Sequence, residues 1–151
     1  MSKRPARQEG YPWLIPYLIV RDADAALAFY EKAFGFAKHM AMPGPNGRTM
    51  HAEMLWHDAM IMFGAPPSEP SDWPYKPPVT SGVASPIVPY LYCEDVDAVF
   101  ARAVAAGAKE IKPPQDQFYG DRTCTVEDPD GYQWSFATNV ADFDPSKAPQ
   151  A

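Results

Sequence analysis

Residues Pro16 to Ala33, PYLIVRDADAALAFYEKA, return 73 positions later as PYLYCEDVDAVFARAVAA, Pro89 to Ala106. The pairs Pro16/Pro89, Tyr17/Tyr90, Leu18/Leu91, Asp22/Asp95, Asp24/Asp97, Ala25/Ala98, Ala28/Ala101 and Ala33/Ala106 are identical. The Pro-Tyr-Leu and Asp-x-Asp matches carry the weight, because alanine pairs in alanine-rich segments arise easily. A second echo lies at a displacement of 74, where Arg48-Thr49-Met50-His51-Ala52-Glu53 falls over Arg122-Thr123-Cys124-Thr125-Val126-Glu127. Two echoes in one order, a residue out of step, are the trace of a duplicated unit with one insertion. The chain is thereby restricted to folds made of two like modules.

Each copy opens on an apolar run rich in β-branched and aromatic residues, Trp13 to Val20 and Ile87 to Cys93, which predicts a strand. Asp22 and Asp95 follow, with short acceptor side chains suited to cap the first free N–H groups of a helix. Ala26, Phe29, Tyr30 and Ala33 share one helical face, as do Val96, Val99, Phe100 and Val104. Gly35 and Gly107 stand where helices end. In the first copy, Phe36 to Met42 reads as a strand and Pro43 to Gly47 as a turn. Thr49 to Trp56 and Ala59 to Gly64 then form a hairpin about His57-Asp58. In the second copy, Lys109 to Lys112 is a short strand and Pro113 to Gly120 a loop. A last hairpin, Arg122 to Glu127 with Tyr132 to Thr138, turns at Asp128-Pro129-Asp130-Gly131, with Pro and Gly placed for their required φ values. The expected fold is α+β, βαβββ written twice.

The 151 residues fit one domain, residues 1–139, with module 1 at 11–65, module 2 at 86–139 and a tail at 140–151. A hydrophobic content of 46% is enough for a real core. The connection 66–85 is dense in proline, which excludes a helix or an inner strand. Trp73 and Tyr75 within it favour an ordered loop on the domain surface over a disordered linker. Met1 to Gly10 reads as a loose polar arm. A net charge of −6 argues against nucleic acid or an anionic membrane as partner. No apolar run is long enough to cross a bilayer, and Met1 to Gly10 lacks the core of a signal peptide. Cys93 and Cys124 read as reduced, packed thiols, so a cytoplasmic location is expected.

Alternation divides the strands into two faces. Trp134 and Phe136 lie opposite Gln133, Ser135 and Ala137. Leu91 and Cys93 lie opposite Val88, Tyr90 and Tyr92. Ala52 and Met54 lie opposite His51 and Glu53, while Ile15, Tyr17 and Ile19 share one face. One face is apolar and suited to lie under helices. The other mixes phenols, amide, hydroxyl and a His/Glu pair, either as an ordinary half-exposed sheet face or as a surface for a small ligand with a ring and polar groups. Tyr17, His51, Glu53, Tyr90, Tyr92, Gln133 and Ser135 are the ligand-binding candidates.

The stretches PYLIVRDADAALAFYEKAFGF and YGDRTCTVEDPDGYQWSF resemble the vicinal oxygen chelate superfamily of glyoxalase I, bleomycin-resistance proteins and extradiol dioxygenases. HAEMLWHDAMIMFG resembles its PhnB-like group. The resemblance spans roughly residues 14 to 139 and implies two βαβββ modules curled into an open barrel around a cavity, commonly in a homodimer. It adds Tyr119, in an aromatic-Gly-Asp-Arg stretch, to the candidate ligand contacts. Tyr17 and Tyr90, at equivalent places, would flank the cavity. Arg122 falls with Cys124 and Val126 on the packing face, which points to a structural ion pair.

The superfamily's enzymes usually set His or Glu at four strand positions around a metal. Carried over, those positions are Ile15, Val88, Ile61 and Ser135, which cannot build a divalent site. No metal and no cofactor is therefore expected. His51 and Glu53 point the same way and read as a polar contact, with a displaced metal pair or base-and-partner work as alternatives. The expected function is a metal-free protein that binds a small, partly aromatic ligand. The alternative is an enzyme, a lyase, isomerase or dioxygenase, using a displaced site or His51/Glu53 acid–base chemistry; no catalytic residue is assigned.

Overall fold

The computed structural model describes residues 4–67 and 73–149. It forms two compact units, Met1–Glu31 with Gly35–Tyr75, and Lys32–Phe34 with Lys76–Ala151. The first contains β1 (Tyr17–Ile19), most of α1 (Ala23–Phe34), β2 (Ala37–Pro43), β3 (Thr49–Trp56) and β4 (Ala59–Gly64). The second contains α2 (Pro78–Ser81), β5 (Tyr90–Tyr92), α3 (Val96–Ala105), β6 (Lys109–Asp116), β7 (Asp121–Glu127) and β8 (Gln133–Asn139). A 3-10 turn, Pro145–Lys147, follows in the tail. Each unit holds one four-stranded open sheet, ordered β1-β4-β3-β2 and β5-β8-β7-β6. In each, the first strand pairs in parallel with the last and the other pairs are antiparallel. The duplicated βαβββ plan is thus present, in the α+β class. No helix among the described residues is long and apolar enough to cross a membrane.

The helix boundaries follow local chemistry. The Asp22 carboxylate accepts from the N–H groups of Asp24 and Ala25 at 3.0 and 3.2 Å, and Asp95 accepts from Ala98 at 3.0 Å. Gly35 ends α1 at φ 86°, and Gly107, one residue past the cap Ala106, takes φ 105°. Ala23, Ala26, Tyr30 and Ala33 are the buried stripe of α1, with Tyr30 edge-on to Phe63 at 5.4 Å. In α3 the buried stripe is Val96, Val99 and Ala103. Val104, expected on that stripe, is exposed because a helix turn of 3.6 residues centres the line on Ala103 instead. In the second unit, Phe34 sits 5.4 Å from Trp134 and 5.0 Å from Phe136. There the Arg102 guanidinium donates to the carbonyls of Ala33 and Phe34 at 3.1 and 2.6 Å. This satisfies carbonyls that the end of α1 leaves without helical partners.

Several elements differ from the sequence expectation. Strand pairing covers only Tyr17–Ile19 and Tyr90–Tyr92 of the two opening apolar runs. Pro16 and Pro89 lack an N–H, although their carbonyls accept from Met62 and Ser135 at 2.9 Å. Beyond them Trp13, Leu14 and Ile87 are exposed. Strand β6 continues through Pro113 and Pro114 to Asp116 where a loop was expected. It is an edge strand with two register shifts, and edges and bulges are where a sheet admits proline. The proline-rich connection does hold one helical turn, α2, with Pro78 in its first turn, where a missing N–H costs nothing. Val79 N–H anchors this turn on the Asp130 carbonyl at 2.9 Å. Residues 68–72 of the connection lie outside the described residues.

The register also corrects the second echo. Leu18 pairs Phe63, which pairs Ala52; Leu91 pairs Phe136, which pairs Cys124. Glu53 therefore corresponds to Thr125, and Leu55 to Glu127, at a displacement of 72 and not 74. The second hairpin turn is one residue longer, with Leu55 and Met60 paired in one unit and Glu127 and Gln133 in the other, which brings the displacement back to 73 between β4 and β8. The Arg-Thr…Glu likeness therefore does not join equivalent positions at Glu53 and Glu127, while the first echo, at 73, holds in the pairing.

Candidate functional site

The polar face of the first unit gathers on one carboxylate. Glu53 is 3% exposed, although its parity in β3 is that of half-buried His51 and Leu55. Tyr11 donates its hydroxyl to Glu53 Oε2 at 2.8 Å, and His51 Nε2 stands 3.2 Å from Oε1. On the other side of the ring, the Tyr17 hydroxyl lies 3.2 Å from His51 Nδ1, with the two rings stacked at 5.7 Å. A neutral imidazole with its hydrogen on Nε2 satisfies both contacts, accepting from Tyr17 and donating to Glu53. His39 Nε2 adds a further contact at 3.9 Å from Glu53. Between Lys38 and Met40 the β2–β3 register slips by one residue, so His39 is the extra residue of a bulge. The bulge turns it toward the same carboxylate.

Tyr17 and His51 also line a broad open groove of about 1290 Å³, contained within the first unit. Its walls come from the β1–α1 junction (Arg21, Asp22, Ala23), the β2–β3 turn (Gly44 to Arg48) and the segment after β4 with Trp73. Met42, Met50 and four prolines make much of the lining apolar. Arg48 pairs with Asp22 at its rim. Burial pushes the Tyr17 phenol above its ordinary range. Gly64 gives Tyr17 its room: a Cβ at that position would fall 2.7 Å from the Tyr17 hydroxyl and from the Met50 carbonyl.

In the second unit the phenols take a different partner. Tyr90 and Tyr92 both donate to Asp121 Oδ2, at 2.8 and 2.9 Å, and Asn139 donates to Oδ1 at 3.0 Å. Burial, then the bond to Asp121 and the neighbouring Tyr119 phenol, push the Tyr90 phenol above its ordinary range. Burial alone would raise the Asp121 carboxyl; the bonds from Asn139, Tyr90 and Tyr92 together outweigh it and hold the group below its ordinary value. Ser135 meets Thr125 at 3.1 Å, and Gln133 meets Glu127 at 3.5 Å. Tyr90 and Tyr92 are 45% and 60% exposed, whereas Trp134 and Phe136 are fully buried and Leu91 is half-buried. Ala137, assigned by alternation to the polar face, is buried too. Arg122 forms ion pairs with Asp97 at 2.7 Å and Asp116 at 2.9 Å, as its place beside Cys124 and Val126 indicated.

Four residues of these clusters were missed in the sequence. Tyr11 lies in the arm preceding β1, and no alternation reaches it. His39 is the extra residue of a bulge, which has no signature in the period. Asp121 shares the parity of Thr123 and Thr125, a signal that was legible but overlooked beside Arg122. Asn139 closes β8 on that same carboxylate.

The metal positions implied by resemblance do not fit a divalent ion. Ile61 pairs Met54 on the packing face, and the counterpart of Ser135 is Met62, since Tyr17 pairs Met62 as Tyr90 pairs Ser135. Neither is a ligand for a hard or borderline cation. Among the described residues, no group of three His, Cys, Asp or Glu side chains could hold a metal ion. Beside His39, the Glu53 carboxylate accepts from Tyr11 and His51 Nδ1 faces the Tyr17 hydroxyl.

The family described as the Glyoxalase/Bleomycin resistance protein/Dioxygenase superfamily matches residues 13–136. An uncharacterized protein of Mycobacterium bovis is 36% identical over 129 residues, 85% of this chain and 84% of that protein. A Mycobacterium tuberculosis protein shows the same identity, over 75% of its own length. The crystal structure of TioX from Micromonospora sp. ML1 superposes with a TM-score of 0.67 at 26% identity, covering 84% of this chain and 98% of that one. TnmS3, an antibiotic binding protein from Streptomyces sp. CB03234, shares the fold with a TM-score of 0.60 at 22% identity, covering 83% and 93%. With two sheets of one duplicated plan and a family match over most of its length, this chain belongs to the glyoxalase/bleomycin resistance/dioxygenase superfamily.

Proposed function

We propose that the chain is a metal-free small-molecule-binding protein of this superfamily, whose ligand is small and partly aromatic. The observation that carries the reading is the groove of the first unit, where Trp73 and apolar Met and Pro side chains share the lining with Tyr17 and His51, the latter backed by Glu53. An apolar concave surface with a few convergent polar groups suits such a ligand. The residue types at the family's metal positions support the metal-free reading. The antibiotic binding named for TnmS3 supports binding over turnover, with an antibiotic as one ligand of the right kind. On the same grounds Glu53, and in the second unit Tyr90, Tyr92, Tyr119, Gln133 and Ser135, are proposed as ligand contacts or their supports.

The proposal extends to the PhnB-like group, on the phrasing of His51 to Gly64, and to a cytoplasmic homodimer. Each sheet ends in open edge strands, which supports an assembly that covers apolar surface. A monomeric sedimentation profile at micromolar concentration would remove the dimer.

A fluorescence titration with 1-anilinonaphthalene-8-sulfonate, a ring system carrying one anionic group, tests the binding site. Saturable one-site binding is expected. Trp73→Ala should weaken it on the order of tenfold, the size of one lost aromatic contact with its area. Equal affinity in the variant would place the dye elsewhere and overturn the groove as the site.

A further inference from the structure

The hydrogen-bonded chain in the first unit runs from open groove to interior. Tyr17 is 48% exposed, the His51 side chain 17% and the Glu53 side chain 4%. The links are 3.2 Å between the Tyr17 hydroxyl and His51 Nδ1, and 3.2 Å between His51 Nε2 and Glu53 Oε1. Tyr11 occupies the other oxygen of Glu53. The buried carboxylate is therefore oriented by two donors and placed to stabilise positive charge on the imidazole between it and the groove. The other charged or titratable groups around this chain are His39 near Glu53, and Arg21, Asp22 and Arg48 on the groove wall, with Arg48 paired to Asp22.

We propose that Tyr17, His51 and Glu53 form a proton relay ending in the groove, and that the groove takes aromatic ligands bearing a weakly acidic hydroxyl, which it binds as the phenolate. The proposal deepens the binding function and rests on the groove being the site. The proton balance closes without a further reactant. The ligand O–H bond breaks and its proton passes to the Tyr17 oxygen, while the Tyr17 proton passes to His51 Nδ1. The products are a phenolate hydrogen-bonded by a neutral Tyr17, an imidazolium on His51 and the Glu53 carboxylate facing it. An aromatic without an acidic hydroxyl has no proton to give and lacks this contribution.

The test uses 4-nitrophenol, whose phenolate absorbs visible light and whose phenol form does not. Equilibrium dialysis of the full chain measures how much probe is bound, and absorption at a pH below the probe's own pKa measures its ionisation. The expected result is saturable uptake with growth of the phenolate band. The probe's pKa should fall on the order of one unit on the protein, a tenfold preference for the anion. Tyr17→Phe, a conservative change at a half-exposed ring, and His51→Gln should each weaken uptake in dialysis on the order of tenfold and remove the band from the probe that stays bound. Bound probe without a band in the unaltered chain would overturn the relay and leave the binding function standing. A band that persists in both variants would assign the anion to Arg21 or Arg48 and likewise overturn it. No retained probe at all would overturn the relay together with the groove it rests on.

Discussion

The indole N–H of Trp134 donates to Asp128 Oδ2 at 2.9 Å, and both residues are buried, at 0% and 4% exposure. The other Asp128 oxygen accepts from the backbone N–H groups of Asp130 and Tyr132 at 2.9 and 3.0 Å. One carboxylate thus closes the β7–β8 turn and fixes the largest side chain of the second unit's core. Asp128→Ala removes the acceptor of three donors, two of them in buried bonds, and the expected loss is on the order of 3 kcal/mol. Urea unfolding followed by tryptophan emission measures it; a loss within a few tenths would show that water replaces the carboxylate.

Cys124 lies 1% exposed on the packing face of β7, and burial pushes its thiol up to about 11. At neutral pH only about one molecule in ten thousand then carries the thiolate. Native protein should resist iodoacetamide at Cys124 until it is unfolded, as read by peptide mass spectrometry. Rapid alkylation of the native chain at that position would contradict the packed, inert thiol.

Acid stability should depend on Asp121. Its folded-state value lies below the ordinary carboxylate value, because the bonds from Asn139, Tyr90 and Tyr92 outweigh burial. Below the ordinary value the unfolded chain binds more protons, so this group's contribution is complete above the ordinary value of about 4 and is lost as pH falls through the folded value. Urea midpoints measured between roughly pH 2 and 6 should therefore fall toward acid. Asp121→Asn should flatten the profile, and parallel profiles would remove Asp121 as the source.

The parts legible in the sequence were those set by local chemistry. Asp22 and Asp95 cap their helices through side-chain oxygens, as residue type and place indicate. Period-two alternation separates buried Trp134 and Phe136 from Gln133 and Ser135, and the proline–glycine turn at 128–131 fixes a hairpin. Pairing register was not legible, since it depends on turn length. The second hairpin turn is one residue longer, so the displacement is 73 between β4 and β8 but 72 between β3 and β7, and the counterpart of Glu53 is Thr125 and not Glu127. The site was half legible. Parity puts His51 and Glu53 on one face, but Tyr11 comes from an arm and His39 from a bulge, which only the folded backbone brings to Glu53.

Gly64 gives the sharpest test of the first unit's geometry. It ends β4 opposite Ile19, and Tyr17, two residues away in β1, lays its ring over that position. The closest atoms to a Cβ there are the Met50 carbonyl and the Tyr17 hydroxyl, both at 2.7 Å, too close for any real contact. The Met50 clash is relieved only by a shift of backbone, which is costly, and the Tyr17 clash by displacement of the ring. Gly64→Ala should thus lift the Tyr17 hydroxyl off His51 Nδ1, at a cost on the order of 1–3 kcal/mol for overpacking. Tyr17→Phe removes the same hydroxyl without the clash and should cost about 1 kcal/mol. In the double variant the steric part remains and the hydrogen-bond part is counted once, so the two losses should fall short of additivity. Urea midpoints of the three variants measure this. Strict additivity would mean that the backbone of β4 yields instead and that Tyr17 keeps its contact with His51.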